Sequence, residues 1–378
     1  MPRIYHILSE SEPFSMEFGG ALSRWTANTL RDDPNGFIVC PSADDSFQFS
    51  RDRVVTLPGL EKYLSFSKVV RSRFLIDFRA AFLKRLFREF VEGLTKGDIL
   101  YVHNRPEFGI VLSELCRNTS HQVVLHMHNS HLLSLPLRYR RRLNVNALAF
   151  CSDFLRSESR GLFPQVPKAE VIPNGADESS FFPPRTGVAA GNDKPVVLFV
   201  GRLVPDKGAH VLIEAMRALG KKGVNVSARI IGSVDFGYRS SSNYLTDLKR
   251  NKPANVEFGD YVTGKALAQE YRSATIFCTP SVWDEPFGMV NVEAMATKLP
   301  VVATKVGGIP EIFREGGGIL VEPGSAQQLA DAIELLINDP AKRRQLAEEG
   351  YNSFQKRYRW PEIHRRYQKL IDSLSEAA

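Results

Sequence analysis

A short loop in the second half of the chain carries two cations whose spacing suits an anion. The loop, residues 201–208 (G-R-L-V-P-D-K-G), stands between the apolar run Val196–Val200 and a helix pattern that begins at Ala209. Helix N-terminal amides favour an anion, Arg202 can grip phosphate oxygens as a fork, and Lys207 adds a point charge. We therefore predict a diphosphate site, with two ordinary surface cations as the alternative. The order G-x-x-x-x-G-K-[ST] is absent, which excludes a P-loop.

Two glutamates stand eight residues apart in the sequence E-P-F-G-M-V-N-V-E-A, residues 285–294. Glu285 lies in a predicted loop, and Glu293 lies about a turn inside the predicted helix that follows. A carboxylate accepts hydrogen bonds from paired hydroxyls, so either glutamate could hold a sugar or a ribose. Gly288 between them lets a ligand approach the backbone beside helix N-terminal amides. The alternative is a pair of solvated carboxylates on a helix surface.

Three histidines lie on or just after one predicted strand, residues 122–128. His126 and His128 are two residues apart and share a face of that strand, and His131 comes shortly after. A metal site is one interpretation, but the pair has no third ligand or carboxylate beside it in the sequence. We expect no metal here. A histidine exposed at a strand end is the simpler interpretation.

Short apolar strands that alternate with helices position all of these residues. The chain has 378 residues, which exceeds the size of a single core, and the alternation predicts two α/β domains with parallel sheets. The polar, proline-rich stretch 183–195 is the best linker, so we place the domains at 1–185 and 186–358. Expected strands are 3–9, 36–40, 98–103, 122–128, 196–200, 227–232, 256–258, 276–280 and 301–304, with helices that include 21–30, 67–94 and 108–117.

Composition narrows the class of protein. Apolar residues make up 43% of the chain and charged residues 24%, which is typical of a globular protein and disfavours disorder or coiled coil. The net charge of +7 favours an anionic ligand or surface without identifying it. Four dispersed cysteines form neither a zinc knuckle nor a dithiol motif, so we expect a reduced, cytoplasmic protein. No signal peptide or spanning segment is expected.

The motifs occur in an order that resembles the retaining glycosyltransferases of family 4, which have the GT-B fold. After residues 201–208 and 285–294 come G-G-I-P-E at 307–311 and G-I-L-V-E-P at 318–323. Upstream, I-P-N-G-A-D at 172–177 and the pair Gly19-Gly20 are similar to segments of the same family. The resemblance covers nearly all of the second domain and three or four places in the first. It implies two facing Rossmann-like domains with a deep cleft, and a C-terminal helix, 359–378, that packs back on the N-terminal, acceptor-binding domain.

The resemblance also implies a role for each matching residue. Arg202 and Lys207 would hold the donor diphosphate, Glu285 the donor sugar hydroxyls and Glu293 the nucleotide ribose. His128 would lie near the anomeric carbon, with His126 as the alternative. The remaining donor-side positions are Gly19, Gly20, Gly201, Phe287, Gly288, Met289 and Val290, and the acceptor-side candidates are His126 and Asn129.

The implied reaction is retaining transfer from a nucleotide sugar. No carboxylate stands where a double-displacement nucleophile would be needed, so we expect transfer on one face of the sugar, driven by positioning and by stabilisation of the leaving diphosphate. No D-x-D motif accompanies the donor residues, and no metal or other cofactor is expected. UDP-hexose or UDP-N-acetylhexosamine is the favoured donor, with a GDP-sugar as the alternative. The expected acceptor is a glycan or a lipid-linked glycan of lipopolysaccharide or exopolysaccharide biosynthesis.

A basic, phenylalanine-rich helix within 67–92 and a second basic run at 138–142 allow two interpretations. Phe74, Phe78, Phe82 and Leu86 keep a three-to-four spacing that is typical of a core-facing helix with a solvated basic face. The same composition suits peripheral contact with an anionic membrane, which would place the protein at the inner face of the membrane.

Three rival functions remain. A glycogen- or sucrose-type glucosyltransferase would share the fold and motifs. A non-enzymatic sugar-binding protein would have little reason to keep both cations and both glutamates. A nucleic-acid binder is disfavoured because no nucleic-acid-reading motif is present and basic charge is spread over both halves.

Overall fold

The computed structural model of the chain describes residues 2–15, 21–31, 33–46, 49–69, 76–184, 194–234 and 242–375. They form two compact units. Unit 1 comprises Met1–Asn174 together with Ile363–Ala378, and unit 2 comprises Gly175–Glu362. Gly19 and Gly20 lie outside the described residues, so the role predicted for them stays a prediction.

Strands and helices alternate along both units. The strands are β1 Ile4–Ile7, β2 Gly36–Cys40, β3 Val54–Thr56, β4 Ile99–His103, β5 Gln122–Met127, β6 Ala147–Phe150, β7 Lys168–Val171, β8 Val196–Val200, β9 Ser227–Ile231, β10 Val256–Gly259, β11 Ile276–Thr279, β12 Val301–Thr304 and β13 Gly318–Val321. The helices are α1 Ala21–Thr29, α2 Gly59–Val69, α3 Ile76–Glu92, α4 Pro106–Leu115, α5 Leu137–Arg140, α6 Asp153–Arg160, α7 Ala209–Lys221, α8 Asn243–Asn251, α9 Gly264–Ser273, α10 Met289–Ala296, α11 Ile309–Ile312, α12 Ala326–Asn338, α13 Pro340–Arg357 and α14 Trp360–Ser375.

Within the described residues, unit 1 is built on a seven-stranded parallel sheet in the order β3-β2-β1-β4-β5-β6-β7. The central strands β4 and β5 are buried along their whole length, as expected for a parallel sheet covered by helices. Their register places His103 beside His126, while β1 places His6 beside Tyr101. Since parallel strands end at one edge of the sheet, the residues that follow β1, β4 and β5 lie close together.

The described part of unit 2 contains a six-stranded parallel sheet in the order β10-β9-β8-β11-β12-β13. Its core is formed by apolar residues of the strands together with one face each of α7 and α12, such as Phe199, Ile276, Leu212 and Ile333. The strand order reverses direction between β8 and β11. The prediction of two α/β domains with parallel sheets is therefore confirmed.

The last helix, α14, packs on unit 1. His364 Nδ1 lies 2.8 Å from the carbonyl oxygen of Thr29, and Gln122 donates its amide to the carbonyl of Leu374 at 2.9 Å. The hydroxyl of Tyr367 lies 2.9 Å from a ring nitrogen of His6 on β1. A helix break before Trp360 was expected from Pro361, and it separates α13 from α14.

The buried face of α3 differs from the predicted one. Ala80, Leu83, Phe87 and Val91 are buried, and the Phe87 ring packs edge-on against Phe108 of α4 at 5.3 Å. The predicted stripe was wrong at Phe78, which is 64% exposed, because the face that meets α4 is displaced around the helix. Phe82 and Leu86 are half-buried, and Phe74 lies outside the described residues. Of the helices in the described part of the chain, none combines the length and apolar character that crossing a bilayer requires.

Candidate functional site

The loops that carry the predicted donor residues follow two neighbouring strands of unit 2. Residues 201–208 follow β8, and residues 280–288 follow β11, which pairs with β8. Ligands of open α/β sheets bind beyond the carboxyl ends of the strands where the strand order reverses. Because that reversal lies between β8 and β11, the structure places both loops at the expected ligand-binding edge.

Lys207 and Glu285 form an ion pair across these two loops. The carboxylate of Glu285 is buried, and the same oxygen accepts a hydrogen bond from the buried hydroxyl of Ser281 at 3.0 Å. The ammonium of Lys207 lies 5.2 Å from the centre of the Trp283 ring, within range of a cation–π contact. A ligand anion would therefore meet a lysine that is already held at the site by a carboxylate and an aromatic face.

Glycines let the loops approach closely. Gly208 has a φ of 72°, and a Cβ there would lie 1.8 Å from the carbonyl oxygen of Pro280. Gly307 has a φ of 53°, and a Cβ there would lie 2.2 Å from the carbonyl oxygen of Glu285. Val282 donates its amide to a carbonyl in the first loop, that of Asp206, at 2.9 Å. A side chain at Gly208 would push the two donor-side loops apart, and one at Gly307 would push the segment after β12 away from Glu285.

Arg202 lies on the same loop as Lys207, and its side chain is exposed. The loop backbone rests on the end of β9, because Gly201 donates to the carbonyl of Ile231 at 3.1 Å and Leu203 donates to that of Ser233 at 2.8 Å. The guanidinium is thus carried at the carboxyl edge of the sheet by a backbone that hydrogen bonds hold in place.

The second glutamate lies inside α10, whose N-terminus follows Gly288 in the left-handed conformation. The side chain of Glu293 is partly buried, and one of its oxygens accepts a hydrogen bond from Tyr271 at 2.8 Å. Burial and the neighbouring Glu293 raise the pKa of the Tyr271 hydroxyl, so it remains a donor. Sequence reasoning missed Tyr271 and Ser281, because each contacts its glutamate from a position outside the recognised motif.

The other predicted donor-side residues contribute backbone. Met289 and Val290 are the first residues of α10, and Gly288 caps it. The Phe287 ring is buried and packs edge-on against Tyr358 at 5.9 Å, so its side chain belongs to the core. The amides at this helix N-terminus are the groups that can face an anion.

His126, His128 and Asn129 belong to unit 1. His128 follows β5, and its ring Nδ1 lies 2.9 Å from Asn174 Oδ1, while its Nε2 lies 3.3 Å from His103 Nδ1. Burial lowers the pKa of His128 to about 4, against a smaller opposing effect of the hydrogen bond to Asn174. The ring is therefore a neutral imidazole near pH 7.

His126 is fully buried, and its ring centre lies 3.9 Å from that of His128, with the two ring planes inclined at 36°. Its Nε2 lies 3.2 Å from the carbonyl oxygen of Ile172, and its Nδ1 lies 3.1 Å from the Tyr101 hydroxyl. Both ring nitrogens thus have partners inside unit 1. Burial lowers the pKa of His126 well below its usual value.

A third histidine completes a group that the sequence did not bring together. Among the described residues, His103, His126 and His128 place ring nitrogens within 4.8 Å of one another, which is close enough to hold a metal ion. Each of these rings already hydrogen-bonds to neighbouring side chains or backbone, so a metal would have to displace those bonds. The sequence could have pointed to His103, because it ends a predicted strand next to the one that carries His126.

A small cavity of about 230 Å³ opens in unit 1 near the ends of β4 and β5. Arg105, Glu107 and His131 contribute polar side chains to its lining. Asn129 accepts a hydrogen bond from the His131 amide at 3.1 Å and so caps the short turn that carries this histidine. Asn129 itself is a half-buried cap rather than part of the cavity lining.

Two family models match this chain. The model described as Glycosyltransferase Family 4 matches residues 37–180, and the model described as Glycosyl transferases group 1 matches residues 185–353. The first match lies mostly in unit 1, and the second lies wholly in unit 2 and includes both donor-side loops.

Known proteins match over most of the chain. Lipopolysaccharide 1,2-N-acetylglucosaminetransferase of Salmonella typhimurium is 27% identical over 327 residues, covering 82% of each protein. Sucrose-phosphate synthase from Thermosynechococcus elongatus is 21% identical with a TM-score of 0.79, covering 100% of both chains. HepE of Anabaena, solved in complex with UDP, is 21% identical with a TM-score of 0.72, covering 98% of this chain and 100% of the other. The two solved structures share the fold of this chain, which confirms the predicted GT-B class.

Proposed function

Because this chain belongs to the glycosyltransferase family that these two models describe, we propose that it is a retaining enzyme that uses a nucleotide sugar. The observation that carries the proposal is the meeting of Lys207 and Glu285 at the point where the strand order of unit 2 reverses. A cation and a carboxylate held together there match the two ends of a sugar diphosphate, the anionic phosphates and the hydroxyl-rich ring.

Donor binding would exchange the partners of this ion pair. The diphosphate would attract Lys207 and Arg202, and Glu285 would then accept hydrogen bonds from sugar hydroxyls while Ser281 holds the carboxylate in position. The pair thus keeps each charge compensated in the empty enzyme, since a buried carboxylate without a partner is costly. The same exchange would orient the sugar relative to its leaving group.

Glu293 would hold the nucleotide ribose. The hydrogen bond from Tyr271 orients its carboxylate from the side of the core, and the position one turn into α10 places it beside the helix N-terminus that would face the phosphates. Phosphate and ribose contacts would then come from one rigid helix.

The chemical step would be stabilisation of the departing diphosphate by Arg202, Lys207 and the α10 amides, with transfer on the same face of the sugar. Fixed cations can do the work that a divalent ion performs in other nucleotide-sugar enzymes, so we propose transfer without a metal. His128 would lie against the donor sugar as a neutral imidazole.

A UDP-sugar is the proposed donor, because HepE of Anabaena has been solved with UDP and shares this fold. A glycan of lipopolysaccharide or exopolysaccharide is the proposed acceptor, because the Salmonella relative is a lipopolysaccharide transferase. The cavity near Arg105 and His131 would receive acceptor hydroxyls. A sucrose-type enzyme is the second candidate, favoured by the fold shared with sucrose-phosphate synthase.

Peripheral membrane contact would suit a lipid-linked acceptor. Phe78 and Leu137 are each 64% exposed. An ion pair of 3.0 Å between Asp77, next to Phe78 on α3, and Arg142, which follows α5, links the two segments that carry them. We call this the Phe78–Leu137 surface, defined by Phe78, Leu137 and the exposed Arg138 and Arg141. Two apolar side chains beside arginines suit an anionic bilayer.

A thermal-shift screen against UDP-, GDP- and ADP-sugars, followed by transfer assays, tests the proposal. We expect stabilisation by one UDP-sugar, transfer in the presence of EDTA, and a product whose anomeric configuration by NMR equals that of the donor. A lipopolysaccharide fragment should accept the sugar, whereas fructose 6-phosphate should not. Stabilisation by no nucleotide sugar, or an inverted product, would contradict the proposal.

A further inference from the structure

Five buried or half-buried side chains of unit 1 form one continuous line of hydrogen bonds. Tyr367 Oη lies 2.9 Å from His6 Nε2, and His6 Nδ1 lies 3.0 Å from His103 Nε2. His103 Nδ1 lies 3.3 Å from His128 Nε2, and His128 Nδ1 lies 2.9 Å from Asn174 Oδ1. We call this line the histidine relay. It links α14 through β1 and β4 to the residue that follows β5.

The relay has a direction because a neutral imidazole has one donor and one acceptor nitrogen. With Asn174 Oδ1 as acceptor, His128 Nδ1 must donate, and His128 Nε2 must accept from His103 Nδ1. His103 Nε2 then accepts from His6 Nδ1, and His6 Nε2 accepts from the Tyr367 hydroxyl. All three imidazoles therefore carry their proton on Nδ1. Burial lowers the pKa of each ring, to about 3 for His6 and about 4 for His128, so neutral rings are expected near pH 7.

The opposite direction is disfavoured at the Tyr367 end. In a reversed relay the Tyr367 hydroxyl would accept from His6, and its own proton would need a further acceptor. Within the described residues the hydroxyl of Tyr367 bonds only to His6, and the side chain is fully buried. A buried donor without an acceptor loses its solvation without compensation. The Asn174 amide can turn to present either its oxygen or its NH2 group to His128 Nδ1, so Asn174 alone does not fix the direction, and Tyr367 selects the one in which Asn174 accepts.

His126 provides an internal comparison. Its Nε2 faces the carbonyl oxygen of Ile172, which can only accept, so the proton of His126 is on Nε2 and its Nδ1 accepts from Tyr101. Two histidines whose rings are in contact thus hold opposite tautomers. The tautomer of His126 is set by backbone, whereas that of His128 depends on side chains as distant as α14.

We propose that Tyr367, His6 and His103 are positioning residues that hold His128 as the Nδ1–H tautomer in a fixed ring orientation for sugar transfer. This inference rests on the proposed function, since the contact of His128 with the donor sugar is part of it. A ring fixed in this way orients the sugar and does not exchange a proton with it. The rate of transfer should consequently show no ionisation near pH 6.5 that belongs to His128.

The test compares the full-length protein with its Tyr367→Phe and Tyr63→Phe variants. Tyr63 is the matched control because it is also buried in unit 1 and its hydroxyl has no hydrogen-bond partner among the described residues. With ¹⁵N-labelled histidine, long-range ¹H–¹⁵N spectra of the wild type should show Nδ1–H at His128 and Nε2–H at His126. In Tyr367→Phe the His128 signals should shift toward mixed tautomers, those of His126 should stay, and kcat should fall about tenfold with an unchanged donor KM. Tyr63→Phe should match the wild type in every readout.

Three outcomes would overturn the proposal. They are an Nε2–H tautomer at His128 in the wild type, an unchanged His128 spectrum in Tyr367→Phe, and uptake of Zn²⁺ that removes the Nδ1–H signals in protein as purified. The spectra need no donor, so a wild type with the expected tautomers that transfers no sugar would contradict the proposed function and leave the tautomer assignment intact.

Discussion

Because Lys207 neutralises the buried carboxylate of Glu285, substitution of the lysine should affect both sugar transfer and the stability of unit 2. Lys207→Ala should abolish transfer and also lower the free energy of unfolding of unit 2, because it leaves the buried Glu285 carboxylate without its cation. We expect a loss of about 1–3 kcal/mol, below the range for a fully buried pair because Lys207 is partly exposed. Urea unfolding followed by circular dichroism measures it.

Two further variants separate stability from function. The double variant Lys207→Ala/Glu285→Gln should recover most of the lost stability, since no buried charge remains, while staying inactive. Arg202→Ala should also lose transfer, but with nearly unchanged stability because the side chain is exposed. Equal stability of Lys207→Ala and the wild type would contradict the ion pair.

The residue types at the candidate site could be predicted from the sequence, but their mutual contacts could not. Arg202, Lys207, Glu285 and Glu293 stand in recognisable motifs at strand and helix ends. Nothing in those motifs indicates that Lys207 binds Glu285, 78 residues away, because that contact arises from the pairing of β8 with β11. For the same reason His103 was not joined to His128.

At the scale of elements, the turn between β8 and α7 requires glycine. Gly208→Ala should destabilise unit 2 and abolish donor binding, because the added Cβ would lie 1.8 Å from the carbonyl of Pro280. Gly223→Ala is the control, since Gly223 has a similar φ of 74° but open space around it. That control should cost only about 1 kcal/mol from backbone strain. Thermal unfolding and nucleotide titration by calorimetry measure both, and equal losses would show that crowding at Gly208 is unimportant.

The exposed side chains of α3 and α5 make the membrane proposal testable. The variant Phe78→Ser/Leu137→Ser should bind vesicles containing anionic phosphatidylglycerol about tenfold more weakly than the wild type. The reason is that insertion of these two apolar side chains into the bilayer contributes a few kcal/mol at most to vesicle binding. Leu335→Ser is the control, because Leu335 is 49% exposed on α12 of unit 2. Co-sedimentation measures the effect. Equal binding by both variants would argue against the Phe78–Leu137 surface.

The sequence predicted the buried central elements better than the edge strands. Strands β2, β8 and β12 have the expected bounds, because long apolar runs buried on both faces are easily recognised. Strands β3, β6, β7 and β13 were not predicted. Three of them, β3, β7 and β13, lie at the edge of a sheet, have a single neighbour and are only partly buried, so their hydrophobic pattern is weak. The fourth, β6, is fully buried but only four residues long, whereas the edge strand β10 was predicted.

At the scale of the whole molecule, the two units should differ in their response to acid. In unit 1, His6, His103 and His126 are buried and His128 is half-buried, and all four have lowered pKa values. The histidine of unit 2, His210, is partly buried with a lowered pKa. A histidine with a lowered pKa binds its proton more readily in the unfolded chain. The free energy of unfolding is therefore unaffected by such a histidine above about pH 6.5. As the pH falls toward 4, each such histidine lowers the free energy of unfolding by up to about 1.4 kcal/mol per pH unit.

Hydrogen exchange monitored by mass spectrometry can follow each unit separately. Protection factors, corrected for intrinsic exchange, should fall more in the strands of unit 1 than in those of unit 2 between pH 7 and pH 5. The inactive Lys207→Ala variant should show the opposite pattern at pH 7, with loss of protection confined to unit 2. An equal decrease in both units on acidification would contradict the assignment of four neutral histidines in unit 1.

The return of the last helix to unit 1 also sets an order of events during protein synthesis. Unit 1 consists of Met1–Asn174 and Ile363–Ala378, with all of unit 2 between them. Tyr367, which begins the histidine relay, leaves the ribosome only after unit 2 has been synthesised. Since domains fold as they emerge, unit 2 can be complete while unit 1 still lacks its last helix. A nascent chain therefore contains all of its donor-binding residues in unit 2 before Tyr367 can join the histidine relay. A product truncated before Ile363 lacks Tyr367 and cannot complete the relay.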